Sequence, residues 1–439
     1  MSRVWFLAVI SLMAVAIALA GCGSSSSSSS GTTAAGSSGS TTEGEADSSA
    51  AVTQEEEAGG QPIVIGSICA CTGAFAANDG AVPRVVKAWE NYTNTHGGIN
   101  GHPVNVKLED DGGNSSVSSQ KVKALIEQDH VMAIAGENDA GLSTTWESIP
   151  TKAGVPVIGG PSFSPPFWTN PNFFPTGGTF PINIYGMLET AKAEGDPKVA
   201  VIGCVEAPSC AGFGGDLKRV GKAVVPGVEV VYSANVSGTA PSYTAQCLAA
   251  EESGATSMYV GHAGSVVPRV IDGCVQQGYQ PLQLNAGGSV TPSWAEDSNL
   301  NGMKIMAFHL PANDTSTPGG KHFHEVLDQE DPGLTESSSF TELLIDTWDG
   351  LELFAAAAEK GNIGPTSTPA DVKKGLYALK GETLGGLTPP LTFQPGKPTV
   401  VNCYFEQSLE NGEFTNKQKP VCASAEIGEK ANAAFAEQE

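Results

Sequence analysis

Positive charge is scarce in this sequence: 23 lysines and arginines stand against 47 aspartates and glutamates, giving a formal net charge of −24 at pH 7. Phosphate backbones and anionic lipid headgroups repel such a chain. We therefore expect no nucleic-acid partner and no attachment to a membrane surface through charge.

Long apolar runs are also missing after the first 22 residues, whereas a spanning helix needs about 20 apolar residues. Before that point, Arg3 precedes an apolar segment that ends in Leu19-Ala20-Gly21-Cys22. This order is typical of a secretory signal, and its last four residues resemble a bacterial lipobox. We predict a lipoprotein signal peptide over 1–22 with Cys22 as the lipidated residue. An ordinary signal peptide with an incidental cysteine is the alternative.

Two common hydrolase motifs are absent, since there is no Gly-x-Ser-x-Gly and no His-Glu-x-x-His. His322 and His324 are followed by Glu325, but alternate residues of a helix point to different faces. The segment 110–114, Asp-Asp-Gly-Gly-Asn, lacks the later ligands of an EF-hand and is interpreted as a turn after a strand. We expect no catalytic residue, no metal and no cofactor.

Residues 23–60 consist largely of Ser, Gly, Thr, Ala and Glu, with seven consecutive serines at 24–30. Such a segment has almost no apolar surface to bury, so it is predicted to be a flexible, disordered tether. It would hold a folded domain away from a membrane.

Eight cysteines follow Cys22, an even number that suits four disulfides in an oxidising compartment. Sequence alone allows many pairings. Proximity in the predicted fold favours Cys247 with Cys274, because these lie on consecutive predicted helices that flank one strand. The other predicted pairs are Cys204 with Cys210, Cys403 with Cys422, and, by default, Cys69 with Cys71. A redox or metal role for Cys69-Ala70-Cys71 is the alternative.

From residue 61 onward, short β-branched runs alternate with longer amphipathic stretches, a rhythm that predicts parallel sheets built from βαβ units. The predicted strands are residues 63–68, 104–108, 131–135, 155–158, 199–202, 228–232, 257–260, 282–284 and 304–308. The predicted helices are residues 81–94, 116–127, 143–152, 216–224, 242–252 and 266–277. A break near 175–181 separates two series, so we predict an α/β protein with two doubly wound parallel-sheet lobes.

The rhythm changes after residue 311, where helices are predicted at 321–329, 340–360 and 369–379, and strands at 391–393, 401–406 and 413–415. Asn411-Gly412 predicts a hairpin. The late helices are expected to return to the first lobe and the hairpin to the second, which gives a hinge with several crossovers. The predicted division is lobe 1 over 61–178 with 310–390, lobe 2 over 179–309 with 391–425, and a C-terminal tail over 426–439.

An ordered set of segments carries a resemblance to a known family. The segments are Ile63-Val64-Ile65-Gly66, Thr72-Gly73, His96-Gly97-Gly98-Ile99-Asn100-Gly101, Glu109-Asp110-Asp111, Gly386-Leu387-Thr388 and Leu391-Thr392-Phe393. The chain thereby resembles the periplasmic leucine/isoleucine/valine-binding protein family, the type I fold of solute receptors, over most of residues 63–414. Independently of the name, ligands of open α/β sheets bind at the carboxyl ends of the strands.

The resemblance implies ligand-binding residues in both lobes. They are Phe75, Asp139, Ala140, Gly141, Ser162, Phe163, Phe213 and His262. One departure stands out. Amino-acid receptors of the family have an acid in the second lobe for the ammonium group, but the corresponding loop here reads Asn285-Ala286-Gly287-Gly288. An uncompensated buried ammonium is costly, so either the ligand lacks an amine, or Asp139 or Glu206 serves instead.

The resemblance implies the substrate-binding lipoprotein of an ABC importer, a monomer anchored to the outer face of the cell membrane. It would capture a small polar solute, an amino acid or a related carboxylate or amide, by hinge closure, and pass it to membrane permease subunits. The alternatives are a lipoprotein that senses a ligand and signals through a membrane partner, and a secreted enzyme.

Overall fold

The computed structural model describes residues 57–206 and 208–437. The predicted signal peptide, Cys22 and nearly all of the tether lie outside the described residues. No helix in the described part of the chain is long and apolar enough to cross a membrane.

The strands of the described chain are mostly short and buried. They are β1 (Ile63–Cys69), β2 (Val104–Asp110), β3 (Ile134–Ala135), β4 (Val157–Ile158), β5 (Phe173–Phe174), β6 (Lys198–Cys204), β7 (Glu229–Val236), β8 (Ser257–Val260), β9 (Leu282–Asn285), β10 (Lys304–Ala307), β11 (Lys380–Glu382), β12 (Leu391–Thr392), β13 (Cys403–Glu410), β14 (Glu413–Asn416) and β15 (Val421–Cys422).

The helices lie between these strands and after them. They are α1 (Ala76–Asp79), α2 (Val82–Thr95), α3 (Ser115–Glu127), α4 (Ser143–Trp146), α5 (Ser148–Ala153), α6 (Pro166–Thr169), α7 (Phe180–Glu194), α8 (Pro208–Ala211), α9 (Phe213–Val224), α10 (Thr244–Glu252), α11 (Val267–Val275), α12 (Pro318–Glu330), α13 (Leu344–Gly361), α14 (Pro369–Ala378) and α15 (Ala425–Ala436).

Two sheets share one strand order. The first runs β2-β1-β3-β4-β5 and is entirely parallel, with Ile63 beside Val104 and Cys69 beside Asp110. The second runs β14-β13-β10-β9-β8-β6-β7, and its strands β6 to β10 are parallel in the same relative order. Each sheet therefore has a switch point, between β1 and β3 and between β6 and β8, where doubly wound sheets bind ligands.

Nearly continuous apolar runs explain the central strands. In β6 the six residues Val199 to Cys204 are all buried, and β1 is buried at every position except Val64. Parallel strands have this composition because helices cover both faces of the sheet. The prediction of an α/β fold with two doubly wound parallel sheets is confirmed.

The late helices lie on the first sheet, although they come after the second sheet in the chain. Helices α12 and α13 pack on α2, and α13 also contacts β3 and β4. Strand β13 instead pairs antiparallel with β10 of the second sheet. We call the first sheet with α1–α6 and α12–α14 the first lobe, and the second sheet with α7–α11 and α15 the second lobe. The chain passes between them at 175–179, 308–317 and 393–402.

The predicted hairpin at Asn411-Gly412 is confirmed: Glu410 pairs with Glu413 in an antiparallel ladder. Both turn residues have positive φ, 55° and 79°, as a two-residue turn of this kind requires.

Two helices of more than ten residues lie where no helix is predicted. Helix α7 begins within the predicted break. Pro181 lies in its first turn, where a backbone N–H has no partner in the helix, so the proline removes no hydrogen bond. Helix α15 occupies most of the predicted tail and packs on α7 and α9. Its N-cap Ser424 accepts a hydrogen bond from Ile427 N.

Four disulfides join the eight described cysteines, in the pairs Cys69–Cys71, Cys204–Cys210, Cys247–Cys274 and Cys403–Cys422. The Cys403–Cys422 pair also faces across the ladder between β13 and β15. Cys69–Cys71 belongs to the first lobe and the other three disulfides to the second.

Candidate ligand cavity between the lobes

A cavity of about 170 Å³ lies where the carboxyl ends of the two parallel sheets face each other. Its walls come from both lobes and are mostly apolar. The lining residues are Phe75, Ala77, Asn78, Asp79, Ala140, Phe163, Phe180, Cys204, Glu206, Ser209, Cys210, Phe213, Tyr259, Gly261, His262, Ala263, Ala286, Gly288, Ser289, Phe308 and Leu343.

The first-lobe wall is built largely from loops that follow strands. Phe75 and Asp79 follow β1, Ala140 follows β3, and Phe163 follows β4. The loop after β1 is held at its base, where Thr72 Oγ1 donates to Asp110 Oδ2 at 2.7 Å. It is held again near its end, where Thr341 Oγ1 donates to the carbonyl of Asn78 at 2.8 Å.

The second-lobe wall is more aromatic. Phe213 begins α9, and its ring centroid lies 5.2 Å from that of Phe180 and 5.6 Å from that of Tyr259. Phe308, which follows β10, lies 6.4 Å from Phe180 by the same measure. These rings form one surface on which an apolar ligand group can pack.

Glycines behind the rings leave them room. A Cβ on Gly141 would lie 2.8 Å from Phe163 Cε2, and one on Gly113 would lie 2.6 Å from Phe75 Cδ2. A Cβ on Gly261 would overlap the ring of Phe213. Gly141 additionally has φ +79°, which favours glycine. Glycines in these loops therefore position aromatic side chains.

Glu206 and His262 form a polar pair on the second-lobe wall, with His262 Nε2 3.4 Å from Glu206 Oε2. Burial opposes the charged form of Glu206, but hydrogen bonds from Gly238 N and Ser237 Oγ lower its pKa. Burial also lowers the pKa of His262, against the effect of Glu206. His262 Nδ1 accepts from Ala263 N at 2.8 Å, so the neutral ring carries its proton on Nε2, towards Glu206.

Asp79 is the acidic side chain of the first-lobe wall. It is 1% exposed, and its Oδ1 has no hydrogen-bond partner in the described structure. Burial raises the pKa of Asp79 well above its ordinary value, and the nearby Asp139 and Asp111 raise it further. Burial therefore favours the uncharged form of this carboxyl.

The eight residues predicted to bind the ligand divide into two groups. Phe75, Ala140, Phe163, Phe213 and His262 line the cavity. Asp139, Gly141 and Ser162 do not.

Asp139 is turned into the first lobe, where its carboxylate accepts hydrogen bonds from Trp146 Nε1 at 2.5 Å and Leu142 N at 2.9 Å. Ser162 is buried beside the crossing segment, with its Oγ 3.4 Å from His309 Nε2. Gly141 lies behind Phe163. These contacts hold the three residues inside the first lobe, and none of them lines the cavity.

Ser162, His309 and Asp346 have the composition of a hydrolase triad but not its geometry. Asp346 Oδ1 lies 3.0 Å from His309 Nε2, the same nitrogen that faces Ser162. A triad needs the serine at one ring nitrogen and the acid at the other. Burial also lowers the pKa of His309 to about 3, which makes it a poor base.

Several cavity residues were not predicted from the sequence. Asp79 and Asn78 follow Phe75 in the loop after β1. Their position in the same loop as the predicted Phe75 was the one sequence signal that they lie near the ligand site. Phe180 lies in the missed helix α7. Tyr259 and Phe308 come from the carboxyl ends of predicted strands, where they resemble ordinary core residues.

The other polar motifs have structural roles. Asp110 Oδ1 accepts from Gly112 N, and Asp111 Oδ1 accepts from Gly113 N, which confirms the predicted turn. His324 Nε2 lies 2.7 Å from the carbonyl of Ala312. No group of three His, Cys, Asp or Glu side chains within 57–206 and 208–437 is arranged to hold a metal ion.

A family model described as periplasmic binding protein matches residues 62–413. No curated protein matches the sequence significantly.

Solved structures share the fold at low identity. A branched-chain amino acid ABC transporter protein from Thermus thermophilus with bound valine has a TM-score of 0.73 and 16% identity, covering 85% of this chain and 99% of its own. A fatty acid ABC transporter substrate-binding protein from Thermomonospora curvata has a TM-score of 0.69 and 13% identity, covering 86% and 96%. An extracellular ligand-binding receptor from Verminephrobacter eiseniae has a TM-score of 0.68 and 17% identity, covering 81% and 99%.

Proposed function

This chain belongs to the periplasmic binding protein family, and we propose that it captures a small organic solute between its two lobes and delivers it to an ABC importer. The observation that carries the proposal is the position of the cavity. It lies at the switch points of both sheets, the place where doubly wound sheets bind ligands, and both lobes contribute side chains to it.

The proposed mechanism is closure about the hinge. Three crossing segments join the lobes, and such connections let two rigid bodies rotate while the sheets stay intact. A solute that docks on one lobe favours closure if it gains contacts from the other lobe, because only a difference in affinity shifts the equilibrium. Phe163 and Phe213, one from each lobe, supply such contacts.

The solute in this proposal is an amino acid or a related amide or carboxylate. The Thermus protein was solved with valine, and the Thermomonospora protein is described as binding fatty acids. Both an apolar body and a polar group suit a cavity in which aromatic rings surround Asp79 and the Glu206–His262 pair.

The cell surface is the proposed location. The predicted signal peptide and the lipobox-like segment ending at Cys22 support attachment by a lipid outside the cell membrane, and the serine-rich tether would let the lobes reach the importer. A monomer is the proposed form.

The test begins with thermal-shift screening of the purified protein against amino acids, amides, amines and organic acids. A ligand that binds only the folded state raises the melting temperature. For each hit, Phe213→Ala should lower affinity by about tenfold or more, because it removes a buried aromatic contact of about 1.5 kcal/mol or more.

Two control variants make this test specific. Phe414→Ala makes the same change on β14, outside the cavity, and Ser162→Ala changes a predicted residue that the structure places beside His309. Both should leave affinity within about threefold of the original protein, since neither side chain lines the cavity. Equal affinity in Phe213→Ala would contradict the site, and turnover of a hit would favour an enzyme.

A further inference from the structure

Asp79 is placed to recognise a ligand. It is the last residue of α1, on the cavity wall, and hydrogen bonds at Thr72 and Asn78 fix its loop at both ends. A buried carboxyl without a partner is costly. The unpartnered Oδ1 belongs to a residue on the wall of a cavity large enough to hold a ligand, and a bound group there would supply the missing hydrogen bond.

The charged residues around the cavity favour a ligand group of one charge. None of the described lining residues is lysine or arginine. Glu206 is ionised on the opposite wall, and Asp111 and Asp139 act on Asp79 from behind it. An anionic ligand would meet a negative field without a cation to pair with, whereas a cationic ligand would be attracted by it.

Aromatic rings supply the second half of the environment. Phe75 lies in the same loop as Asp79, and Phe163, Phe213 and Tyr259 complete the walls around them. Aromatic faces attract ammonium groups and bury apolar bodies. The size also sets a limit, because an apolar cavity of about 150 Å³ holds one benzene molecule and this one measures about 170 Å³.

We infer that the captured solute is a small organic monoamine with an apolar body and no carboxylate, bound with its ammonium group against Asp79. This inference rests on the proposed capture of a small organic solute between the lobes, and it replaces the amino acid, amide or carboxylate named there by an amine that lacks the carboxylate. It assigns the acid that pairs with the ammonium to the first lobe, where it compensates for the acid that the second-lobe loop 285–288 lacks.

Binding is accompanied by a defined proton movement. Burial favours the protonated Asp79 carboxyl in the empty cavity, and the ammonium favours the carboxylate, so Asp79 releases its proton to solvent as the charge-assisted pair forms. The titratable groups that act on Asp79 are Asp111, Asp139 and Asp346. Amine affinity should therefore rise with pH until Asp79 is ionised without ligand.

The experiment is isothermal titration of the purified protein with three matched probes: phenethylamine, phenylalanine and 3-phenylpropionate. Phenethylamine should bind at least about tenfold more tightly than phenylalanine, and 3-phenylpropionate should bind most weakly. Titration in buffers of different ionisation enthalpy should show a net release of protons when the amine binds. A shorter probe, isobutylamine, tests whether body size rather than the amine limits binding.

Asp79→Asn should weaken phenethylamine by roughly 10- to 100-fold, the range expected for a lost hydrogen bond to a charged group, and should abolish proton release. Asp349→Asn is the matched control: Asp349 is also fully buried in the first lobe with an unpartnered carboxyl, but it does not line the cavity. It should leave binding and proton release unchanged. Melting temperatures of both variants show whether they fold.

Tighter binding of phenylalanine or 3-phenylpropionate than of phenethylamine would overturn the inference, and so would failure of both amines to bind at millimolar concentration. Equal losses in Asp79→Asn and Asp349→Asn would also overturn it. In each case the proposed function would stand if another solute from the screen bound in a Phe213-dependent manner. It would fall only if no solute did.

Discussion

The two lobes share a strand order but have different interiors. The first lobe buries a set of carboxyls that includes Asp79, Glu137, Asp139, Glu342, Asp346 and Asp349, each at most 7% exposed. In the described second lobe the buried acid is Asp216, which is paired with Arg219 at 2.5 Å. The second lobe instead contains three of the four disulfides, and two of them join positions 27 and 19 residues apart.

This difference shows that one fold can be stabilised in two ways. Long-range disulfides restrict the unfolded chain of the second lobe and are independent of pH over the neutral range. Buried carboxyls make the first lobe sensitive to pH, because folding must keep them protonated as the solution becomes more basic. Burial thus favours the uncharged form of several carboxyls in the lobe that holds Asp79.

Removing the disulfide of the second lobe that closes the longer loop should have the largest effect. The double change Cys247→Ser and Cys274→Ser should lower the free energy of unfolding by about 2–4 kcal/mol, because the unfolded chain regains a loop of this length. Urea denaturation at pH 7 measures the loss. The dependence of stability on pH should be unchanged. A loss below about 1 kcal/mol, or a changed pH dependence, would contradict the view that this disulfide stabilises the second lobe independently of pH.

Ionisation of Glu342 in the first lobe at raised pH should destabilise the protein by a smaller amount. Burial raises the pKa of Glu342 to about 8, so the folded state holds a proton that the unfolded state releases near its ordinary value of 4.5. The contribution of this bound proton to the free energy of unfolding is fully present below pH 4.5 and is lost as the pH rises through about 8. Each such group costs roughly 1.4 kcal/mol per pH unit, so Glu342 alone costs about 2 kcal/mol between pH 6.5 and 8.

Glu342→Gln should reduce that pH dependence, because glutamine can accept the same hydrogen bond from Ala312 N without titrating. Burial lowers the pKa of His309, so this residue stabilises the folded state less as the pH falls. That loss occurs below pH 6.5, outside the range of the measurement. The control is Glu325→Gln on the exposed face of α12. Thermal melts from pH 6.5 to 8 give the measurement, and equal slopes in all three proteins would contradict this account of Glu342.

Most of the fold could be predicted from the sequence because period and turn chemistry are local signals. The buried runs of β1 and β6 and the turn Asn411-Gly412 were recognised on that basis, and the structure agrees. Helix α7 was missed because Pro181 was interpreted as a break, although proline is tolerated in the first turn of a helix. A proline can mark either a break or the first turn of a helix, and at Pro181 the packing of α7 against the second sheet decides between the two.

The cavity was less predictable than the sheets that form it. The family resemblance pointed to Phe213 and His262, and both residues line the cavity. Side-chain direction within a loop depends on contacts that are remote in sequence. Asp139 turns inward to Trp146, while Asp79 reaches the cavity because Thr341, more than 250 residues away, anchors its loop.

Closure of the two lobes on a solute can be measured most directly by small-angle X-ray scattering of the protein, free and saturated with the tightest ligand from the screen. The account predicts a smaller radius of gyration with ligand. At a ligand concentration about ten times the original dissociation constant, it predicts at most about half that decrease for Phe213→Ala, because the affinity of this variant is about tenfold lower or more. Identical scattering from the free and the saturated protein would contradict capture by hinge closure.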